Sequence, residues 1–315
     1  MLKMKYRRID SRFVEKLRAI VGDQNVLTGR ECLVDYSHDE FALKDIRRFP
    51  EAVVKPRTAE EVSQLVRLCN EECIPLTPRG GGTGLCGGCV PLHGGVLMSF
   101  DNMVRILEVD TENLMAVVES GVRLADFYRA VEGKGLFFPP HPGDESATIG
   151  GVIATNAGGA RAVKYGVIRN FVRGTEVVLP DGEIIMLGGK FCKSSSGYNL
   201  MHLMIGSEGT LGIVTKAVIS LMPPPQVMYT LVSSYERLSD AIRTVPAILK
   251  NKIIPMAIEF VENATMTLSA RCLGTTWPFS EGNAHLIMMI DGSRFEEVAC
   301  LAEAIHTICL EHNAL

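Results

Sequence analysis

Apolar residues recur along the chain with two periods, and the places where the period changes mark its organisation. SRFVEKLRAIVG, residues 11–22, predicts an opening helix and EAVVKP, 51–56, a short strand. Residues 58–73 carry Val62, Leu65, Val66, Cys69 and Cys73 at helical spacing on one face. Thr58 and Glu61 stand in the positions of a capping box at their start. IPLTP, 74–78, is the next strand, so residues 51–77 form a β-α-β unit. The period then shortens: GVLMSF, VRILEVD and LMAVVES, between 95 and 120, read as three strands separated by turns. A helix follows over 123–135, then a long irregular stretch from Phe137 to Gly166, rich in glycine and small residues. TEVVLPDGEIIML, 175–187, predicts a hairpin around Pro-Asp-Gly. A short helix, a glycine-marked turn and a strand lead to Pro223–Pro225. Beyond the prolines the texture is β-α-β again without glycine clusters: strands at VMYTLVSS, PMAIEFVEN and HLIMMIDG, and helices over 236–251 and at the C-terminal end. That alternation predicts an α+β layer with strands on one face and helices on the other.

Composition adds bounds. The chain has 315 residues, 47% hydrophobic and 22% charged, with a net charge of −4, enough for two domains and without the basic footprint of a nucleic-acid binder. MLKMKYRRID is basic but lacks the apolar core of a signal peptide. No apolar run reaches the roughly 18 residues of a spanning helix. Nine cysteines, an odd number, fit reduced thiols and a cytoplasmic location, with peripheral membrane attachment compatible. Cys69 and Cys73 fall on the helical stripe and read as core; Cys86 and Cys89 lack the second C-x-x-C of a zinc or cluster site, so no metal is expected.

The chemistry concentrates in PRGGGTGLCGGCVP, 78–91, where six of fourteen positions are glycine. Gly82-x-Gly84-x-x-Gly87 spells the dinucleotide fingerprint, and Asp101 follows at about the expected distance. A Rossmann turn must open a helix, however, and Gly88 to Gly94 contain a glycine, a proline and a glycine in seven residues. A Walker loop fails too, for no Gly-Lys-Ser/Thr follows. What remains is a run of residues that expose backbone N–H groups as an anion-binding nest, with a hydroxyl from Thr83 and a charge from Arg79. A diphosphate suits it.

Those residues resemble the pyrophosphate loop of the vanillyl-alcohol-oxidase-type flavoproteins. HPGDESATIGGVIATNAGGARAVKYGVIRNFVRGTEVVLPDGEI resembles the second FAD-contacting stretch of that superfamily and SSSGYNLMHLMIGSEGTLGIVT the third, in the same order. Within it the chain is most similar to the branch of D-lactate dehydrogenases, glycolate oxidase flavin subunits and D-2-hydroxyglutarate dehydrogenases. The resemblance implies an α+β chain: a PCMH-type FAD-binding domain of two α/β subdomains over 1–222, with its core at 46–222, then a partial ferredoxin-like α+β cap over 223–315. It implies that Arg79, Gly80, Gly81, Gly82, Thr83, Gly84, Gly87 and Gly88 wrap the FAD pyrophosphate. Pro142, Asp144, Ala147, Thr148, Gly150 and Gly151 would run along the flavin, with Asn156, Gly158 and Gly159 continuing that wall. Glu208, Gly209, Leu211, Gly212 and Ile213 would hold the ribose and adenine end. Some relatives carry the flavin on a histidine near the loop; the surroundings of His93 do not match, so FAD is expected to be non-covalent. His141 stands where the family more often has Asp, and reads as a loop histidine that positions backbone.

The implied activity is oxidation of a small 2-hydroxy acid, D-lactate or glycolate, by hydride transfer to flavin N5, with a quinone, a transfer flavoprotein or oxygen as electron acceptor. In that branch the base and any metal ligands come from a histidine-rich Gly-Asp-Gly-Asn segment after the cap. This sequence carries no such motif, and His306 and His312, on the last predicted helix, do not reproduce it. No catalytic residue is assigned. The alternative expectation is an FAD-binding fragment or subunit that needs a second polypeptide to complete the cap.

Overall fold

A computed structural model of the chain describes residues 6–41, 46–279 and 281–315, so the first five residues of the basic start lie outside it. The chain divides into two compact units. The first comprises Met1–Phe138, Asp144–Ala157 and Ile168–Met222; the second comprises Pro139–Gly143, Gly158–Val167 and Pro223–Leu315. No described helix is long and apolar enough to cross a membrane.

The first unit contains two sheets. Asp10 caps helix α1 (Ser11–Val21) by accepting from the Phe13 N–H at 2.8 Å, and Phe13, Leu17 and Val21 form its buried stripe. Helix α2 (Ala59–Glu71) buries Val62, Leu65, Val66 and Cys69 into the same core. Thr58 accepts from the Glu61 N–H at 3.2 Å as a capping box requires, but the Glu61 carboxylate turns to the Arg57 N–H, 2.6 Å away, rather than to Thr58. The helix ends before Cys73, which is exposed with φ 53°, so Cys73 leaves the stripe that its spacing suggested. Four strands lie beneath: β1 (Val26–Leu27), β2 (Ala52–Val54), β3 (Leu76–Arg79) and β4 (Val96–Ser99), in the order β1-β2-β4-β3. β2, β4 and β3 run parallel. The glycine loop is therefore the connection between two parallel neighbours, β3 and β4, and it contains no helix.

The second sheet is antiparallel: β5 (Ile106–Asp110), β6 (Met115–Glu119), β7 (Val172–Val178), β8 (Ile184–Gly188) and β9 (Ile213–Ser220), ordered β5-β6-β9-β7-β8. β7 and β8 are the hairpin around Pro180–Gly182, closed by the Leu179 N–H donating to Glu183 at 2.8 Å. Helix α3 (Leu124–Glu132) follows β6 and buries Leu124, Phe127 and Val131.

One expectation changes in the stretch 137–166. It is not irregular throughout: α4 (Ile149–Thr155) and a single turn, α5 (Ala162–Tyr165), lie within it. Thr148 caps α4 through the Gly151 N–H at 3.2 Å, and Asn156 closes it in the left-handed region. Gly150 and Gly151 masked this helix, because glycine disfavours helix interiors. Here the reason for glycine is contact: a Cβ on Gly150 would lie 2.6 Å from the Ser120 Cβ.

After the short helix α6 (Met201–Met204) and β9, the chain enters the second unit, whose sheet has the order β10-β12-β11. These are β10 (Val227–Tyr235), β11 (Ala257–Glu262) and β12 (Ala284–Gly292), all antiparallel. Leu286, Met288 and Ile290 on β12 join Ala241 and Ile248 of α7 (Leu238–Lys250) and Val298 and Ile305 of α9 (Phe295–Glu311) in one core. α8 (Asn263–Cys272) went unanticipated, since only Ala270 of it is buried and no apolar stripe announces it. The alternate residues of β12 serve other contacts. Asp291 takes Lys164 at 2.6 Å and the Tyr165 hydroxyl at 2.9 Å from α5, which accounts for the inclusion of 158–167 in this unit.

His285, fully buried on β12, accepts from the Trp277 Nε1–H at 3.4 Å through Nε2, which leaves Nδ1 protonated and donating to the Ser234 Oγ at 3.0 Å. Burial lowers its pKa below the usual 6.5. An unfolded histidine thus takes a proton before this one does. Stability of the second unit is expected to be complete above pH 6.5 and to fall as pH drops from there towards the depressed folded value. Urea unfolding followed at Trp277 across that range checks this; His285→Gln should flatten the dependence, and an equal slope in the variant would show that other groups cause it.

Candidate functional site

The site is built on the sixteen residues between β3 and β4, Gly80 to Gly95. Arg79, the last residue of β3, does not reach outward. Its guanidinium donates to the His38 carbonyl at 2.5 Å, the Asp35 carbonyl at 3.0 Å and the Cys89 sulfur at 3.2 Å. It lies where a Cβ on Gly82 would stand, and Gly82 has φ +74°. From the same N-terminal segment, the buried carboxylate of Asp39 accepts from the Gly87 N–H at 2.8 Å, and the Glu40 N–H donates to the Gly84 carbonyl at 3.1 Å. Sequence reasoning missed Asp39. It sits in SHDE, outside any glycine motif or apolar period, and only its fold position brings it to the loop.

The N–H groups of Gly80, Gly81, Gly82, Thr83 and Gly84 donate to no described residue. The second stretch closes over them. A Cβ on Gly81 would lie 2.7 Å from the Ser146 carbonyl oxygen, and one on Gly80 would strike the Thr148 hydroxyl. Thr148 is already engaged with Gly151, and the Ile149 and Gly150 N–H groups donate to Val122 and Ser120 at 2.8 and 2.7 Å. The first turn of α4 thus spends its donors inside the protein, and the open donors belong to the glycine loop. Ala147 is buried beside them, while Asp144 is exposed and accepts from the Ser146 N–H at 2.7 Å.

The third stretch meets the same loop. A Cβ on Gly88 would strike the Glu208 carboxylate, and one on Gly209 would lie 2.6 Å from the Pro78 ring. Glu208 holds φ 52°, a strained value for a residue with a side chain, fixed by its N–H donating to the Ala154 carbonyl at 2.9 Å. A Cβ on Gly212 would lie 2.6 Å from the Val177 side chain; Ile213 is buried at the start of β9, and Leu211 is exposed. Asn156 accepts from the Arg169 N–H at 3.2 Å, and the Arg169 guanidinium donates to the His202 and Ile205 carbonyls. That arginine links the second stretch to the third. Of the residues singled out in the sequence, those at 79–88, 144–156 and 208–213 lie in the first unit, and Pro142, Gly158 and Gly159 lie in the second. There Gly159 abuts the His141 carbonyl so closely that no Cβ fits.

Asp101, the acid at dinucleotide-fingerprint distance, is engaged elsewhere: it pairs with Lys55 at 2.8 Å and takes the Tyr36 hydroxyl at 3.2 Å. The arrangement suits a diphosphate. It offers several unspent backbone donors at close approach, walls without side chains, and an arginine beneath the loop for charge and rigidity.

Comparisons with known proteins identify the domains of the chain. Residues 50–188 match the family profile described as FAD binding domain, and residues 224–315 match FAD linked oxidases, C-terminal domain. A D-lactate dehydrogenase of Anaerostipes hadrus is 42% identical over 320 residues, spanning all of this chain and 67% of that protein. The glycolate oxidase subunit GlcD of Bacillus subtilis (strain 168) is 43% identical over 302 residues, 96% of this chain and 63% of the relative. The chain thus spans about two thirds of these relatives or slightly less. Among solved structures, an alkyldihydroxyacetonephosphate synthase superposes with a TM-score of 0.82 at 23% identity, over 99% of this chain and 61% of the other. A p-cresol methylhydroxylase gives 0.79 at 22%, over 96% and 64%. These two show the fold, a PCMH-type one.

Two substitutions check the loop. Gly82→Val places a branched side chain on the Arg79 guanidinium at a positive φ, and should abolish flavin retention, read as the flavin-to-protein absorbance ratio after gel filtration; full stoichiometry would disprove the assignment. Asp39→Ala leaves the Gly87 N–H without its charged acceptor, a loss of about 1–3 kcal/mol, and should weaken FAD binding severalfold while Asp39→Asn recovers part of it. With the loop, the two matching domains in order and relatives above 40% identity in hand, the chain belongs to the FAD-linked oxidases, and its cofactor is FAD.

Proposed function

We propose that this chain supplies the cofactor-binding part of an FAD-dependent oxidoreductase that oxidises a small 2-hydroxy acid of the D-lactate or glycolate type. The observation that carries the reading is the meeting of three separated stretches, at Gly80–Gly88, Ser146–Gly151 and Glu208–Gly209, around one set of unspent backbone donors. The printed names of the relatives point to the substrate class. Bound FAD would accept a hydride at N5 from the carbon bearing the substrate hydroxyl.

The chain's own residues contribute binding and orientation. Gly80 to Gly84 would hold the diphosphate through backbone N–H groups, with FAD bound non-covalently. Arg79 and Asp39 keep that loop in register through their bonds to 35–38 and to Gly87. Glu208 offers a carboxylate for cofactor hydroxyls on the Gly88 side of the loop. Oxidation also needs a base for the hydroxyl proton and a cation for the substrate carboxylate; we assign neither to a residue of this chain. A quinone, a transfer flavoprotein or oxygen would take the electrons onward. A second polypeptide working with this one is supported by the Bacillus subtilis relative, which is named as a subunit.

Anaerobic titration tests the proposal. The purified chain, reconstituted with FAD, should show the visible flavin band, and D-lactate or glycolate should bleach it. A yellow protein that keeps its colour across a panel of 2-hydroxy acids would sink the substrate assignment. A chain that takes up no FAD would sink the cofactor role as well.

A further inference from the structure

We propose that Cys86 and Cys89 form a redox modification site, a dithiol whose oxidation to a disulfide loosens the loop's hold on its diphosphate. The proposal rests on the cofactor reading above and extends it to regulation. Both thiols stand in the loop, separated by Gly87 and Gly88. Cys86 is exposed and Cys89 is half-buried. The chain reverses at this point: Gly87 has φ 75° and its carbonyl accepts from the Val90 N–H at 3.0 Å. Four consecutive residues keep their end Cα atoms within roughly 11 Å even when extended. A disulfide needs about 4.4–6.8 Å, and two intervening glycines let the segment close to that span. Among the described residues no cluster of three or more metal-ligating side chains competes for the pair.

The two sulfurs are unequal. Burial pushes the Cys89 thiol up, partly opposed by Arg79, so Cys89 stays protonated and waits. The exposed Cys86 meets the oxidant first. With hydrogen peroxide, the Cys86 thiol gives up its proton and its sulfur attacks the O–O bond, which breaks; the sulfur becomes a sulfenic acid, and the departing hydroxide takes up that proton as one water. The Cys89 sulfur then attacks the Cys86 sulfur, the S–S bond forms as the S–O bond breaks, and the sulfenic hydroxyl leaves as a second water with the Cys89 thiol proton. Two thiols lose two electrons in all, and one peroxide is reduced to two waters.

The consequence for the cofactor follows from what Cys89 touches. Its sulfur accepts from the Arg79 Nη1 at 3.2 Å, and the same guanidinium holds 35–38 and fills the space beneath Gly82. Drawing Cys89 towards Cys86 removes that acceptor. It also pulls on Gly87, whose N–H is tied to Asp39, and on Gly88, which abuts Glu208. The open donors at Gly80–Gly84 lose their alignment as the loop shifts.

The test uses the whole chain loaded with FAD and treated with hydrogen peroxide. Peptide mapping locates any disulfide, and the fluorescence of released flavin gives the FAD affinity. The expected result is a Cys86–Cys89 bond with FAD held roughly tenfold more weakly, restored by dithiothreitol. Cys86→Ser should bind FAD equally before and after peroxide. A mapped bond with unchanged FAD affinity would overturn the proposal, as would oxidation that never joins these two sulfurs, or a Cys86→Ser chain that loses FAD to peroxide as the wild type does. If the reduced wild type takes no FAD, the cofactor reading falls and this proposal falls with it, while the peptide map still reports whether the bond forms.

Discussion

A stretch of bare backbone held still by charges from a distant part of the chain is the constraint on which the site depends. Ordering a residue costs about 1–2 kcal/mol of backbone entropy, and glycine loses more than any other. A glycine-rich loop left alone would therefore stay mobile and present its N–H groups in no fixed direction. Arg79 and Asp39 remove that freedom from opposite ends, one clasping the carbonyls of Asp35 and His38, the other the Gly87 N–H. Bonds to charged groups contribute about 1.5–3 kcal/mol each, enough to fix a few glycines and no more. This explains why other stretches lean on the loop as well, Ser146 and Thr148 against Gly80 and Gly81, and Glu208 against Gly88.

The topology around the loop follows from the same demand. Parallel neighbours need a crossover of a dozen residues or more, usually a helix. Between β3 and β4 the sixteen-residue loop does that work itself. A helix there would spend its backbone donors internally except at one end. A loop leaves a whole run of them available. α4 shows the contrast, because its first-turn donors go to Val122, Ser120 and Thr148 and none is left for a ligand.

The second unit obeys the alternation of its central strand. On β12, Leu286, Met288 and Ile290 pack on α7 and α9, while His285 and Asp291, at the alternate positions, meet polar partners. Asp291 gathers Lys164 and Tyr165, so a turn encoded well before the proline boundary folds with this sheet.

Most of this fold was legible in the sequence because the periods are local. The stripe of α2, the Pro-Asp-Gly hairpin and the apolar run of β12 each announce an element whose partners lie nearby in sequence or in pattern. The glycine run by itself excluded a Rossmann helix and pointed to a bare-backbone diphosphate site, since proline and paired glycines cannot make a packed helix. What the sequence could not show were contacts between distant segments: the clasp of Asp39 on Gly87, the inward turn of Arg79, the helix hidden under Gly150 and Gly151, and the attachment of 158–167 to the second sheet. Periodicity records which face of an element is buried. It carries no record of which remote residue fills a gap left by an absent side chain, and that was decided only when the chain closed on itself.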